Sequence, residues 1–430
     1  TKGSLSSEPG SVAAGSAGCP RAAGIPASAP GPRAPPLHHR HLRPHNWHDA
    51  MLMLIDLLFI LPFRTLSSAF PQLCGILMHR VIFPLAHRLE LCKARLLGQL
   101  ACGRAAGCPV PAEWIWLPSA TRDPKTVLLF LPGGAFVSSD QTCFQFAAEV
   151  LPRLARSLPE GHPVPAILVA RYTIPAAEGT ATAEVDSVLR WLADDGRRIV
   201  ACGTSAGGHL AFCAALRASE GQRAQLTGTQ PAPPPRPPPA LLGAVLISPW
   251  LDLTLTSPAM ARNATSCLLS LPFLRAGVRQ FIGNPPALGN ASGGLNHRLS
   301  PPAACDTQAC GDLSLACGGG RAAKEGSAGA LPDAFQAAAR TASPTFSDLS
   351  SLGPSAVFIA YGAQDLLVDD ARLVISRARA GAIESACVDG YVVGAHVLFL
   401  VLPHEPQAAA ALDAIAGYLV RRITGAGTEE

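Results

Sequence analysis

The sequence has few charged and few aromatic residues for its length. Of its 430 residues, 15% are Asp, Glu, Lys or Arg and 6% are Phe, Trp or Tyr. The net charge is only +4, and the basic residues form no long run interleaved with aromatics, as a surface that follows a phosphate backbone would need. We therefore expect no nucleic-acid partner. Hydrophobic residues make up 48% of the chain, which is enough for the core of a globular enzyme.

Paired cysteines are also missing. The 13 cysteines are an odd number at irregular spacing, which is not the pattern of a small disulfide-stabilised domain. The nearest approach to a metal cluster is Cys305, Cys310 and Cys317, but no Cys-x-x-Cys pair and no fourth ligand accompany them. We predict free thiols and no metal site.

A long uninterrupted apolar run is absent near the N-terminus. The stretch that begins at Trp47 contains Asp49 and Asp56 and is closed by Pro62, so it is shorter than the about 20 apolar residues of a spanning helix. Three interpretations of residues 47–97 stay open: a spanning helix, an amphipathic helix at a membrane surface, and helices buried as a cap over an active site. The localisation stays open with them, between a membrane such as the endoplasmic reticulum and the cytoplasm.

Composition divides the chain into three parts. Residues 1–45 are rich in Ala, Gly, Pro and Ser, and we predict that they are disordered. Residues 46–110 are predicted to form a hydrophobic helical cap or a membrane-associating region. Residues 111–430 are predicted to form the catalytic domain, with flexible inserts near 221–240, where a proline tract lies, and near 284–331.

Short β-rich runs alternate with helical patterns from residue 111 onward. Six apolar runs predict strands, at 126–131, 166–171, 198–203, 243–248, 356–361 and 384–391. Apolar spacing predicts helices at 182–195 and 369–381. This alternation predicts an α/β fold with a mostly parallel central sheet and helices on both faces.

The junction after the third of these strands contains Gly203-Thr204-Ser205-Ala206-Gly207. This is the G-x-S-x-G pattern of a nucleophile elbow, and it lies where such an elbow must lie, between a strand and a helix. The flanking glycines suit a tight turn in which side chains would collide with the strand and the helix. We predict Ser205 as a nucleophile, and the alternative is a glycine-rich turn with an unreactive serine.

An oxyanion hole is predicted from an earlier junction between a strand and a loop, LLFLPGGAFVSSD at 128–140. The amides of Gly133 and Gly134 could bind a developing alkoxide, together with the amide of Ala206 at the start of the elbow helix. The alternative is an ordinary Pro-Gly-Gly turn after a strand.

The orienting acid is predicted from position. Asp365 follows the strand AVFIAY directly, whereas Asp369 and Asp370 begin the next helix. We interpret those two residues as caps of that helix that also favour its dipole, and the alternative is that one of them is the catalytic acid.

The general base is predicted to be His396, in the loop after the last strand. His404 is the other histidine downstream of Asp365, but Pro406 places it at the start of a closing helix. The chain order Ser205, Asp365, His396 is the order of a Ser-His-Asp triad on a sheet of this type.

With these motifs, residues 111–425 resemble the α/β-hydrolases of the hormone-sensitive-lipase-like group, which are carboxylic ester hydrolases. The similar stretches include ISPWLDLT at 247–254 and SPTFSDLSSLGPSAVFIAYG at 343–362. Within the group, PWLDLT and the hydrophobic N-terminal region are similar to steryl acetyl hydrolase-like and arylacetamide deacetylase-like proteins. The resemblance implies an α/β-hydrolase fold with an N-terminal helical cap, a small-molecule apolar ester of undetermined acyl length as substrate, an acyl-enzyme and no cofactor.

The chain departs from this group at two positions. The usual HGGG motif is replaced by Pro132-Gly133-Gly134-Ala135, and Thr204 stands where an aspartate is usual. We expect a shifted loop with an intact oxyanion hole, and altered hydrogen bonds around Thr204. A catalytically silent ligand-binding protein and an acyltransferase or amidase with the same triad stay open as alternatives, and nothing in the sequence indicates an oligomeric state.

Overall fold

The computed structural model describes residues 61–70, 99–120, 124–140, 142–227, 239–283, 333–390 and 393–425. The predictions for residues 1–45, for the insert at 284–331 and for Cys305, Cys310 and Cys317 lie outside these ranges. Within them, no helix combines the length and the apolarity that crossing a membrane requires. The seven cysteines of the described ranges are free thiols.

Eight strands form a single sheet. They are β1 (Ala101–Arg104), β2 (Ala112–Trp116), β3 (Thr126–Leu131), β4 (Ala166–Ala170), β5 (Arg198–Thr204), β6 (Leu241–Ile247), β7 (Val357–Gly362) and β8 (Ile383–Val388). Their order across the sheet is β1-β2-β4-β3-β5-β6-β7-β8. The pairs β1–β2 and β2–β4 are antiparallel and the other pairs are parallel, which confirms the predicted sheet.

Helices follow most of the strands. They are α1 (Leu61–Ala69), α2 (Thr142–Ser157), α3 (Glu178–Asp194), α4 (Ser205–Thr227), α5 (Ala259–Arg262), α6 (Leu271–Ile282), α7 (Asp333–Ala342), α8 (Val368–Arg377), α9 (Leu398–Val401) and α10 (Pro406–Thr424). A short 3₁₀ helix, Pro344–Phe346, follows α7. The α4 helix continues through Thr227, so helical structure extends into the segment predicted as the first insert.

The core lies on both faces of the sheet, because successive side chains of a strand point to opposite sides. In β3, Val127 and Leu129 belong to the apolar cluster that includes residues of α3 and α4. Leu128 and Phe130 belong to the cluster that includes residues of α2 and α10. All six β3 residues are buried. Helices therefore cover both faces, as predicted.

The N-terminal helix α1 packs on α6. The rings of Phe63 and Phe273 lie edge to face with centroids 5.9 Å apart, and Ser67 Oγ donates to Ser270 Oγ at 2.9 Å. The α6 helix packs in turn on the loop after β3, where Phe281 stacks on Phe136 with centroids 3.8 Å apart. The described part of the hydrophobic N-terminal region thus lies next to the helix that backs the predicted oxyanion loop.

Candidate active site

Ser205 lies at the turn between β5 and α4. Its φ of 49° is in the left-handed region, and the residue is buried. A Cβ at Gly207 would overlap the carbonyl oxygens of Leu131 and Pro132, and a Cβ at Gly203 would overlap the carbonyl of Gly207. Glycine is therefore required at both flanking positions, because the elbow is pressed against the end of β3.

Asp365 and His396 are brought together by the loops after β7 and β8. The His396 Nδ1 donates to Asp365 Oδ2 at 2.9 Å, and both side chains are buried. The proton is assigned to Nδ1 because an ionised carboxylate can only accept. This assignment leaves Nε2 as a proton acceptor, which is what a general base requires. The alternative histidine, His404, is exposed.

The Asp365 carboxylate has further donors around Oδ1. The amide of Leu367 donates to this oxygen at 3.1 Å, and the Cys267 thiol lies 3.6 Å from it. Burial, and next the nearby carboxylate, raise the pKa of the Cys267 thiol, so its proton is retained and can be donated. Asn263 Nδ2 donates to the main-chain carbonyl of Asp365 at 2.7 Å. The acid is thus fixed at its side chain and at its backbone.

The loop that carries His396 is anchored to the end of β6. The amide of Val397 donates to Ser248 Oγ at 3.3 Å, and Val397 and Ser248 both have positive φ values, 54° and 43°. Two residues after Ser248, the amide of Trp250 donates to the carbonyl of Ser205 at 3.1 Å. The segment after β6 therefore contacts Ser205 and the residue that follows His396. Among the described residues no hydrogen bond joins Ser205 to His396, and such bonds are often long before substrate binds.

The loop after β3 turns sharply beside the nucleophile. Three successive residues, Gly134, Ala135 and Phe136, have φ values of 119°, 53° and 64°. A Cβ at Gly134 would overlap the carbonyl of Ser138, whose amide donates to the Gly134 carbonyl at 2.9 Å. Glycine is needed at position 134 for its φ and for this close approach.

The amide of Gly133 has a hydrogen-bond partner. It donates to Thr204 Oγ1 at 2.9 Å, so we keep the other two predicted donors, Gly134 and Ala206, as the proposed oxyanion donors. The carbonyl of Gly133 accepts from the amide of Asp140 at 3.1 Å. Pro132, which replaces the usual histidine, accepts a hydrogen bond from the Tyr172 hydroxyl at 2.8 Å through its carbonyl. Hydrogen bonds with Thr204, Asp140 and Tyr172 thus hold this loop.

Asp140 is a half-buried carboxylate that sequence analysis did not identify. Thr204 Oγ1 donates to its Oδ2 at 3.1 Å, and Thr142 donates to its Oδ1 from both its hydroxyl and its amide, at 2.7 and 3.1 Å. Burial raises the pKa of Asp140, while the bonds from the two threonines and the charge of His396 oppose that rise. This carboxylate lies outside the motif, nine residues after the end of β3, which is why no pattern pointed to it.

The structure corrects the interpretation of Asp369 and Asp370 as helix caps. The α8 helix has no side-chain cap. Asp370 Oδ2 instead accepts from the amides of Leu251 and Asp252 at 3.2 and 2.9 Å, and Asp369 accepts from the amide of Ala259 at 2.8 Å. Both carboxylates therefore hold α8 to the segment after β6, the same segment that contacts Ser205 and Val397.

A second buried histidine, His209, lies in α4. Its Nδ1 is 2.9 Å from the carbonyl of Trp250, and its ring packs edge to face on Phe136 and Phe281. Burial lowers the pKa of His209 to about 4, so it is neutral at physiological pH. We interpret it as a core residue behind the oxyanion loop.

Residues 128–319 match a family whose description is alpha/beta hydrolase fold. An esterase of the bacterial hormone-sensitive lipase family is 20% identical to this chain, with 84% of this chain and 98% of the other covered and a TM-score of 0.50. A hormone-sensitive lipase from a metagenome library is 16% identical, with 83% and 98% covered and a TM-score of 0.50. No curated protein matches the chain. At these identities the likeness to solved structures establishes the fold.

Proposed function

We propose that this chain is a serine hydrolase of carboxylic esters, because its sheet has the α/β-hydrolase fold and residues 128–319 match a family described by that fold. The observation that carries the proposal is the buried hydrogen bond between His396 and Asp365, at the same edge of the sheet as Ser205 in its left-handed turn. Nucleophile, base and acid each follow a parallel strand of one sheet, so a single scaffold holds all three.

The reaction would proceed through an acyl-enzyme. Ser205 Oγ attacks the ester carbonyl carbon while His396 Nε2 takes the hydroxyl proton. Asp365 orients the imidazole and stabilises its positive charge. The tetrahedral intermediate then expels the alcohol, which receives the proton from His396. Water repeats the sequence on the acyl-enzyme and releases the acid.

The oxyanion would be bound by the amides of Gly134 and Ala206. Ala206 follows the nucleophile in the first turn of α4, where backbone N–H groups have no partner within the helix and where the helix dipole favours negative charge. Gly134 lies on the loop after β3. In that loop the preceding residue, Gly133, lies against Ser205. Each such donor typically contributes about 100- to 1,000-fold to the rate.

The substrate is proposed to be a small, uncharged and mostly apolar ester. The oxyanion loop is backed by Phe136, Trp250 and Phe281, whose rings are buried and packed together. The core beneath the loop is therefore apolar. The structurally similar bacterial protein is itself an esterase, which is consistent with this substrate class.

Association with a membrane through residues 47–97 stays a proposal. Carbonate washing of membranes that carry the full chain, beside a chain that starts near Pro109, tests it. Retention of the full chain alone supports the proposal, and equal release of both chains rejects it.

The proposed activity is tested with p-nitrophenyl esters from acetyl to long acyl chains. We expect turnover by the wild-type protein and a loss of about 10⁴-fold or more in Ser205→Ala. Ser187→Ala is the matched control, because the Ser187 hydroxyl bonds only the helical carbonyl of Glu184 on α3. A folded wild-type protein that binds esters without turnover would instead indicate a ligand-binding protein. Added alcohols or amines that capture the acyl group in preference to water would indicate a transferase.

A further inference from the structure

A chain of hydrogen bonds runs from the half-buried carboxylate of Asp140 to the proposed oxyanion loop. The amide of Gly133 donates to Thr204 Oγ1 at 2.9 Å, and Thr204 Oγ1 donates to Asp140 Oδ2 at 3.1 Å. Thr204 is the residue immediately before the nucleophile, and Gly133 is the residue immediately before the predicted oxyanion donor Gly134. The network therefore connects the turn that carries Ser205 to the loop after β3. The relative position of these two segments decides where the amides of Gly134 and Ala206 point.

The chemistry of Asp140 fixes the direction of this chain. A threonine hydroxyl has one proton and can donate it only once, whereas an ionised carboxylate can only accept. As long as Asp140 is ionised, Thr204 must donate to it and must present a lone pair to the Gly133 amide. The Thr142 hydroxyl also donates to Asp140, at 2.7 Å, so it adds to the same arrangement.

Asp140 also holds Gly133 from the other side, because its amide donates to the Gly133 carbonyl at 3.1 Å. The space there is tight. A Cβ at Gly133 would lie 2.5 Å from Asp140 Oδ2 and 3.1 Å from Ser205 Cβ. Asp140 thus holds Gly133 at its carbonyl directly and at its amide through Thr204, within contact distance of the nucleophile.

We propose that Asp140 is a positioning residue that acts through Thr204 to hold Gly133, and thereby aims the amide of Gly134 at the oxyanion. The proposal rests on the proposed esterase function.

The expected effect is confined to the transition state. Binding of the ground-state ester does not depend on the oxyanion donors, so loss of the network should lower kcat and kcat/KM by the same factor with KM unchanged. We expect about 10- to 100-fold in Asp140→Asn, less than the loss of a whole donor, because the amide of Gly134 is misaimed but still present.

The test measures kcat, KM and inhibition by an alkyl trifluoromethyl ketone in Asp140→Asn, Thr204→Val and Thr204→Ser. The ketone adds Ser205 Oγ to its carbonyl carbon, and the resulting oxyanion occupies the oxyanion hole. We expect Ki to rise in Asp140→Asn and Thr204→Val by the same factor as kcat falls. Thr204→Ser, which keeps the hydroxyl, should recover most of both losses. Thr341→Val is the control, because the exposed Thr341 hydroxyl bonds only a helical carbonyl.

Asp140→Asn with wild-type kcat and Ki would overturn the proposal. If that variant does not fold, Thr204→Val decides by the same criteria, and a rise in KM with unchanged kcat would also overturn it. Failure of the esterase function itself is separate, because the wild-type protein would then show no turnover that Ser205→Ala abolishes.

Discussion

The two sides of the active-site edge are held by different means. On the oxyanion side, the ends of β3 and β5 are shaped by backbone conformation, with close approaches at Gly134 and Gly207 that a side chain would block. On the acid–base side, the loops after β7 and β8 are held by buried side chains, with His396 on Asp365 and Cys267 beside that carboxylate. Substitutions on the oxyanion side should therefore lower activity through steric strain. Substitutions on the acid–base side should lower it through loss of charge and hydrogen bonding.

The largest effect is expected on the acid–base side. Asp365→Asn can present its amide N–H to His396 and so favour the wrong tautomer, and we expect kcat to fall by about 10⁴-fold. Steady-state kinetics with a p-nitrophenyl ester measure this. Asp369→Asn is the matched control, since its carboxylate bonds Ala259 and Arg262 and not the histidine. A loss of less than 10-fold in Asp365→Asn would show that the acid does not orient the base.

The oxyanion side should be broken by Gly134→Ala. The new Cβ would overlap the Ser138 carbonyl at a residue with φ of 119°, so we expect kcat to fall by about 100-fold or more and the unfolding free energy to fall by about 1–3 kcal/mol. Gly161→Ala separates the two causes. It has a positive φ of 77° but nothing within 4 Å, so it should cost stability without lowering kcat. Equal kinetic effects in both variants would contradict the comparison.

A smaller effect is expected at Cys267. Cys267→Ala removes a donor near Asp365 Oδ1, and we expect kcat to fall by about 3- to 10-fold, because a thiol is a weak donor even to a charged group. Cys267→Ser keeps a donor and should lose less. Cys387→Ala, at an exposed cysteine, is the control. If serine and alanine at position 267 behave alike, the thiol has no role in holding the acid.

The smallest effect is expected at Asp370, and on stability alone. Burial, and next the charge of Asp252, raise the pKa of Asp370 well above its usual range, and its Oδ1 has no partner among the described residues. Its contribution to stability is therefore present at low pH and is lost as the pH rises through the folded-state pKa. We expect Asp370→Asn to raise Tm at pH 8 by about 2–4 °C, or about 1 kcal/mol, and to have less effect at pH 5. A lower Tm at pH 8 would contradict this account.

The parts of the fold that sequence predicted are those with strong local patterns. The strand 126–131 has the predicted bounds, and the strands β4 to β8 differ from prediction by a few residues at most. The strands β1 and β2 were missed, because ACGR and AEWIW are short and carry charged or small residues at the edge of the sheet. The sheet therefore begins before residue 111, the predicted start of the domain.

In the candidate site, too, residues in a local pattern were predicted and long-range contacts were not. Ser205 lies in a contiguous motif, so a strand, a turn and a helix in sequence were enough to identify it. The partners of Gly133, Asp369 and Asp370 could not be identified, because each hydrogen bond joins segments about 70 or more residues apart. Asp140 was missed for a related reason, because its carboxylate accepts a hydrogen bond from Thr204, which lies 64 residues later at the end of β5.

The most direct test of the central claim is covalent labelling with a p-nitrophenyl alkylphosphonate, read by intact mass and peptide mapping. The account predicts one phosphonyl group per chain, on the peptide that contains Ser205, with release of one p-nitrophenol and with labelling slowed in Asp365→Asn. An adduct on another residue, or continued ester turnover by a protein that takes no label at Ser205, would contradict it.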